Sequence, residues 1–220
     1  MRRSQQIRQH VPHSAFLKIF RGLCLSLSLA AGCAQADWQL LPADSSLTFT
    51  STKNAQVTET HSFAGLSGAI KSQGAAEISI PLASVETLVP IRNERLRVML
   101  FETQTFPLAV VSANLTLEPM LTLNVGESMT QEVPLTINLH GTSHTQAATL
   151  NVVRLAATDF KVTTVEPLLV DVADFGLADG VQALREIAGL KSIDAIIPVS
   201  LSLNFRQMAE QPRASADTPF

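Results

Sequence analysis

Two histidines, His140 and His144, stand four residues apart. On a helix that spacing would put both on one face, where a metal ion could bridge them. Here they flank Gly141-Thr142-Ser143 at the end of an alternating segment, which reads as a hairpin. No carboxylate lies within five residues to supply a third ligand, so both are expected to be solvated turn histidines and no metal site is expected. His61 sits in a Ser/Thr-rich stretch and reads as an ordinary strand histidine, with lining a pocket mouth as the second reading. Gly65-Leu66-Ser67-Gly68 approaches a nucleophile elbow, but G-x-S-x-G would need glycine at position 69, where the chain has Ala69. Dinucleotide, P-loop, zinc-protease and EF-hand patterns are absent from the sequence. With no nucleophile beside a base, no catalytic residue is expected and the chain does not read as an enzyme. One charged group remains, Arg92, Glu94, Arg95 and Arg97. It reads as a solvated helix start with pairing along the helix. In the functional alternative, Arg92 or Arg95 meets the anionic head group of a ligand.

The elements that must position these residues follow a short address. Residues 1–36 hold five of the sixteen basic side chains (Arg2, Arg3, Arg8, Lys18, Arg21) and no acidic one. Gly22 to Gly32 is an apolar run, too short for the roughly 20 residues that span a bilayer but suited to an export signal. Cleavage after Ala34-Gln35-Ala36 would leave Asp37 first, in the periplasm. The second reading is a lipoprotein anchored at Cys33 after Ala30-Ala31-Gly32. Both cysteines, Cys24 and Cys33, precede Ala36, so the remainder has no thiol for a disulfide or a thiolate metal site. That remainder carries 11 Lys and Arg against 19 Asp and Glu, which disfavours nucleic acid as a partner.

From residue 37 onward, period-two alternation dominates. Leu47/Phe49, Ile78/Ile80/Leu82, Val111 to Leu117, Leu121/Leu123/Val125, Val133 to Leu139 and Val199 to Phe205 alternate with Ser, Thr and Asn. One apolar face and one wet face mean antiparallel sheet, and eight to ten such strands mean a sandwich or a closed barrel. Turns are expected at Lys53-Asn54, Gly65, Ser72 to Gly74, Leu117 to Met120, Gly126 to Ser128 and Gly141-Thr142. Two segments have helical spacing. Arg92 to Glu102 places Leu96, Met99 and Leu100 on one side. Asp179 to Leu190 has Asp179 as N-cap, Gly189 as stop and a stripe of Val181, Leu184, Ile187 and Ala188. The barrel domain is bounded at 37–207, and the polar tail 208–220 is expected to fray.

Several pieces, in order, resemble the YceI-like family of periplasmic proteins. Trp38-x-Leu40 with Ser45-Ser46-Leu47-Thr48-Phe49 is similar to its opening strand, and Phe63-x-Gly65-x-x-Gly68 to its first turn. Ile80-Pro81-Leu82-Ala83-Ser84-Val85-Glu86-Thr87 resembles its strand exit. Arg92 to Arg97 with Leu100-Phe101-Glu102 and Phe106-Pro107 resembles its helix, and Leu139 to Thr142 its hairpin. The resemblance implies an all-β, antiparallel, lipocalin-like barrel of about eight strands with two short helices and an elongated apolar interior. It also implies binding of isoprenoid lipids, either polyprenyl chains or quinones, and no other cofactor.

In such a barrel the alternation assigns Leu47, Phe49, Ile78, Ile80, Val111, Leu115, Leu135, Ile137, Leu201 and Leu203 inward, about half of them against ligand. Phe63, Phe101 and Phe106 are placed near the entrance. An eight-strand barrel either fills with side chains or holds one narrow ligand. Mid-sized Val, Leu, Ile and Ala dominate the apolar faces, which favours the hollow case. The expected function is therefore a periplasmic carrier of an isoprenoid or other long-chain lipid, with peripheral membrane contact and a homodimer as further expectations. The alternative is an envelope protein that binds a partner through a filled barrel.

Overall fold

The computed structural model describes residues 37–208. The export signal read over 1–36, with Cys33, and the tail beyond Met208 lie outside the described residues.

The described chain runs β1 (Trp38–Leu40), β2 (Ser46–Lys53), β3 (Val57–Phe63), β4 (Ser67–Ile70), β5 (Ala75–Pro81), α1 (Pro90–Arg95), β6 (Leu108–Asn114) and α2 (Glu118–Leu121). It continues through β7 (Ser128–Leu139), β8 (Thr142–Arg154), β9 (Asp159–Thr164), β10 (Leu168–Asp171), α3 (Ala178–Ile187) and β11 (Ile196–Gln207). Every pairing is antiparallel. The order β1-β4-β5-β6-β7-β8-β9-β11 returns to β1 through Trp38 opposite Gln207, which closes an eight-strand barrel. The other strands extend this ring. Along β11, β2 continues the edge begun by β1, pairing Val199 to Ser202, and β10 continues the edge begun by β9, pairing Ile196 to Val199. A 3-10 turn at Pro42–Asp44 separates β1 from β2, because Pro42 cannot donate to the ladder. Closure removes the unpaired edges that an open sheet would leave.

One end of the barrel is solid. Trp38, Leu40, Ile70, Phe160 and Phe205 are buried there, with the Trp38 and Phe160 rings edge to face at 6.5 Å. The guanidinium of Arg154 covers Phe160 at 5.5 Å and donates to the carbonyls of Leu121 and Leu123 at 2.8 Å. Both helix-spaced segments sit at the other end.

The first helical segment is shifted from its sequence reading. It begins at Pro90, whose missing N–H costs nothing at a first turn, and widens into a π-helical turn over Leu96–Leu100. The Phe101 N–H reaches the Leu96 carbonyl at 2.9 Å. Leu96 is buried, whereas Met99 and Leu100 are half-buried. In α3 the N-cap is Leu177, without a side-chain bond, so Asp179 does not cap. Gly189, at φ 64°, follows the helix in the left-handed region, as a stop residue should. Val181 and Leu184 face the core side, but Ile187 and Ala188 are exposed.

Three further readings are corrected. Leu121, Leu123 and Val125 do not form a strand. The short α2 and a turn occupy that stretch, because Glu118-Pro119 starts a helix and Arg154 binds the freed carbonyls. The turn read at Leu117 to Met120 is thus partly helix. The β7–β8 hairpin turns at His140-Gly141, both at positive φ (52° and 76°), one residue before the expected Gly141-Thr142. That double positive φ matches the twist of a two-residue hairpin.

Candidate functional site

The inward column of β2 reads Leu47, Phe49, Ser51, Lys53, and its register partners on β3 are Phe63, His61, Glu59 and Val57. The inner wall therefore passes from apolar to polar to charged along one strand pair. Above the solid end this wall bounds a cavity of about 500 Å³. A separate concavity of about 680 Å³ lies against β4 to β7. Its wall of Ser67, Glu77, Ser112, Asn114 and Thr136 offers little apolar burial, so the inner cavity is the candidate site.

Of the residues assigned inward or to the entrance, Leu47, Phe49, Phe63, Ile80, Phe101, Val111, Ile137 and Leu201 line the cavity, as do Arg92 and Arg95. Ile78, Leu115, Leu135, Leu203 and Phe106 do not. Ile78 and Leu203 are buried in the main core. Leu135 joins Val133, Ala148, Leu150 and Leu168 in a second cluster, on which the half-buried Leu115 also packs. Phe106 packs on the β7–β8 hairpin instead. Its ring lies 4.3 Å from that of His140 and under Gly141.

Phe49, Phe63 and Phe101 form an aromatic ladder along one wall, with centroids 5.3 and 5.8 Å apart. His61 extends the ladder, 5.1 Å from Phe49. It is buried, and its Nε2 is 2.9 Å from the Ser51 hydroxyl oxygen. Burial, and after it the nearby Arg92 charge, lower its pKa, which favours the neutral ring. Local pattern does not report this depth, because Thr60 and Ser62 flank His61 and its apolar neighbour Phe49 comes from another strand.

At the mouth, Glu59 binds both Lys53 and Arg92, the latter at 2.7 Å. The hydrogen bond from Lys53, followed by that from Arg92, holds the Glu59 carboxyl at about 2, against an ordinary 4.5. Arg92 also donates to the Thr87 carbonyl at 2.7 Å. Arg95 lines the cavity and pairs with no carboxylate among the described residues. Arg97 reaches Glu94 at 3.2 Å, the pairing along the helix that the spacing suggested.

The remaining wall comes from segments with no strong sequence signal. Leu168 and Val170 of β10, Val181 and Leu184 of α3, and Leu190, Ile193 and Ile197 beyond it complete the enclosure. Only the stripe on α3 was legible beforehand. The two hairpin histidines do not converge. His140 is half-buried on Phe106 with Glu102 at 3.4 Å, so it is not a solvated turn residue. The exposed His144 faces Asp174 at 3.7 Å. Among the described residues no three His, Cys, Asp or Glu side chains are grouped to hold a metal.

The YceI-like domain family matches residues 38–205. Among solved structures, a polyisoprenoid binding domain from Saccharophagus degradans is 39% identical, with a TM-score of 0.76 over 78% of this chain and 98% of that one. BcnA of Burkholderia cenocepacia is 16% identical, with a TM-score of 0.58 over 75% and 98%, a likeness of fold alone. No match was found among curated proteins. With the family matched over most of its length and a close relative sharing its barrel, the chain belongs to the YceI-like family.

Proposed function

We propose that this protein is a periplasmic carrier that holds an isoprenoid or another long-chain lipid in its barrel. The observation that carries the reading is the cavity of about 500 Å³, walled by Leu, Val, Ile and Phe, with its polar groups gathered at one end. That layout suits an amphipath whose chain lies along the aromatic ladder and whose head sits near Lys53, Arg92 and Arg95. The polyisoprenoid binding domain that is 39% identical supports the same ligand class. A preceding export signal over 1–36 would deliver the barrel to the periplasm.

Burying such a chain gains about 0.8 kcal/mol per CH₂ removed from water. A bilayer offers nearly the same gain, so exchange between the two is close to balanced. This favours transport over storage. Specificity then rests on cavity length and on the polar mouth.

The test is extraction of the purified protein, with mass spectrometry of the extract. A co-purifying isoprenoid or other long-chain lipid is expected, and Val111→Trp, which projects into the cavity, is expected to lose it. An extract free of lipid from the parent protein overturns the reading.

A further inference from the structure

Leu88 is the most exposed large apolar side chain among the described residues, at 88%. Its backbone is also strained, with φ at 62°, a region that branched, bulky residues avoid. The strain is held from both sides. The Leu88 N–H donates to the Glu86 carboxylate at 2.5 Å. Before it, Thr87 donates from its N–H and its hydroxyl to the buried Asn93 amide oxygen, at 2.9 and 2.5 Å. Arg92 holds the Thr87 carbonyl. Leu88 is thus fixed outward on a rigid turn, and water gives no return for that arrangement.

Its neighbours extend the patch. Val89 and Ile91 are 39% and 58% exposed, yet both also line the cavity. They mark where the cavity opens, and they make its apolar wall continuous with the outer surface at Leu88. Glu86 holds the Leu88 N–H, and three arginines follow, of which Arg92 is paired with Glu59 and Arg97 with Glu94. Arg95, unpaired with any described carboxylate, is among them.

We infer that Leu88, Val89 and Ile91 insert into a lipid bilayer of anionic surface and dock the cavity mouth on it. Apolar tips beside an arginine that no described carboxylate neutralises are the chemistry of an interfacial anchor on an anionic surface. A stable protein interface buries about 800 Å² per partner, more than these three side chains present. A docked mouth lets a chain pass from bilayer to cavity without crossing water. This role rests on the lipid-carrier reading for its purpose, but it is measured separately.

The experiment places a tryptophan reporter in the full chain, where Trp38 is the only native one and is buried. Leu88→Trp is compared with Val125→Trp, an exposed site beside Arg154 at the solid end. Both are titrated with vesicles of phosphatidylglycerol and phosphatidylethanolamine, with and without brominated chains. A blue shift and bromine quenching are expected for Leu88→Trp and not for Val125→Trp. Adding Ile91→Ser to Leu88→Trp should weaken the shift at least roughly tenfold in lipid concentration. No shift at Leu88→Trp, or equal shifts at both sites, overturns the inference. So does a vesicle-free shift that grows with protein concentration, which would make the occupant a second copy of the chain. Extracts of the same preparations separate the two readings. Lipid in the extract without a shift overturns docking and leaves the cavity reading standing. A shift without lipid in the extract supports docking and removes the cavity reading.

Discussion

The Thr87 hydroxyl donates to the Asn93 side-chain oxygen at 2.5 Å, and both residues are almost wholly buried. The same oxygen takes the Thr87 N–H at 2.9 Å, while the Asn93 amide nitrogen donates to Glu86 at 3.0 Å. One side chain therefore ties the strand exit to α1, at the rim of the cavity. Asn93→Leu leaves the buried Thr87 N–H without its acceptor and the Thr87 hydroxyl with only the Val89 carbonyl, at 3.4 Å. An unsatisfied buried donor costs about 1–3 kcal/mol. The expected outcome is a urea midpoint lowered accordingly, with little of the loss restored when Thr87→Val is added, because the N–H of residue 87 stays unpaired.

Leu88 adjoins that bracket in the left-handed region, where an L-residue loses about 1–2 kcal/mol relative to a right-handed turn. Leu88→Gly removes this strain, offset by about 0.5–1 kcal/mol of added chain entropy. The net expectation is unchanged or slightly raised stability, by up to about 1 kcal/mol, read as a thermal midpoint. A marked fall would show that the exposed side chain packs on something in solution.

Glu59 gives the mouth a pH signature. Its folded pKa of about 2 lies below the ordinary 4.5. A lowered carboxyl pKa contributes stability that is fully present above the unfolded value and is lost as pH falls through the folded one. The contribution should decline from about pH 4.5 to about pH 2. Because the side chain is 35% exposed, solvent screening makes it modest. Glu59→Gln is expected to flatten the stability curve in that window and to lower stability modestly near neutrality, where the contribution is fully present, checked by denaturant midpoints at stepped pH.

The cavity separates two substitutions that the alternation makes equivalent. Val111 lines it, whereas Leu135 lies in the packed cluster with Val133 and Leu150. Val111→Trp is expected to fill open space with little change in thermal midpoint. Leu135→Trp must displace neighbours, at about 1–3 kcal/mol. Equal losses for the pair would mean that the space beside Val111 is not open in solution.

Much of this molecule was legible in its sequence, for physical reasons. The side-chain period of a strand is two, so alternation in β2, β5, β6, β7 and β11 reported which face each residue takes. Gly189 and the apolar stripe through Val181 and Leu184 reported a helix with an end. What local pattern could not decide was depth. Leu47 and Leu203 are both inward, yet one borders the cavity and the other lies in the solid core. Which it is depends on how far along the barrel the strand has run and on what crosses that level. His61 reads as polar among threonines, and only pairing with Phe49 and the bond to Ser51 across the strand pair make it a buried wall residue. Leu121 to Val125 alternates like a strand, but Pro119 and the Arg154 side chain claimed that backbone first. The sequence determined the faces of the strands. The tertiary structure alone determined where the barrel is filled and where it is hollow, because that depends on contacts between segments far apart in the chain.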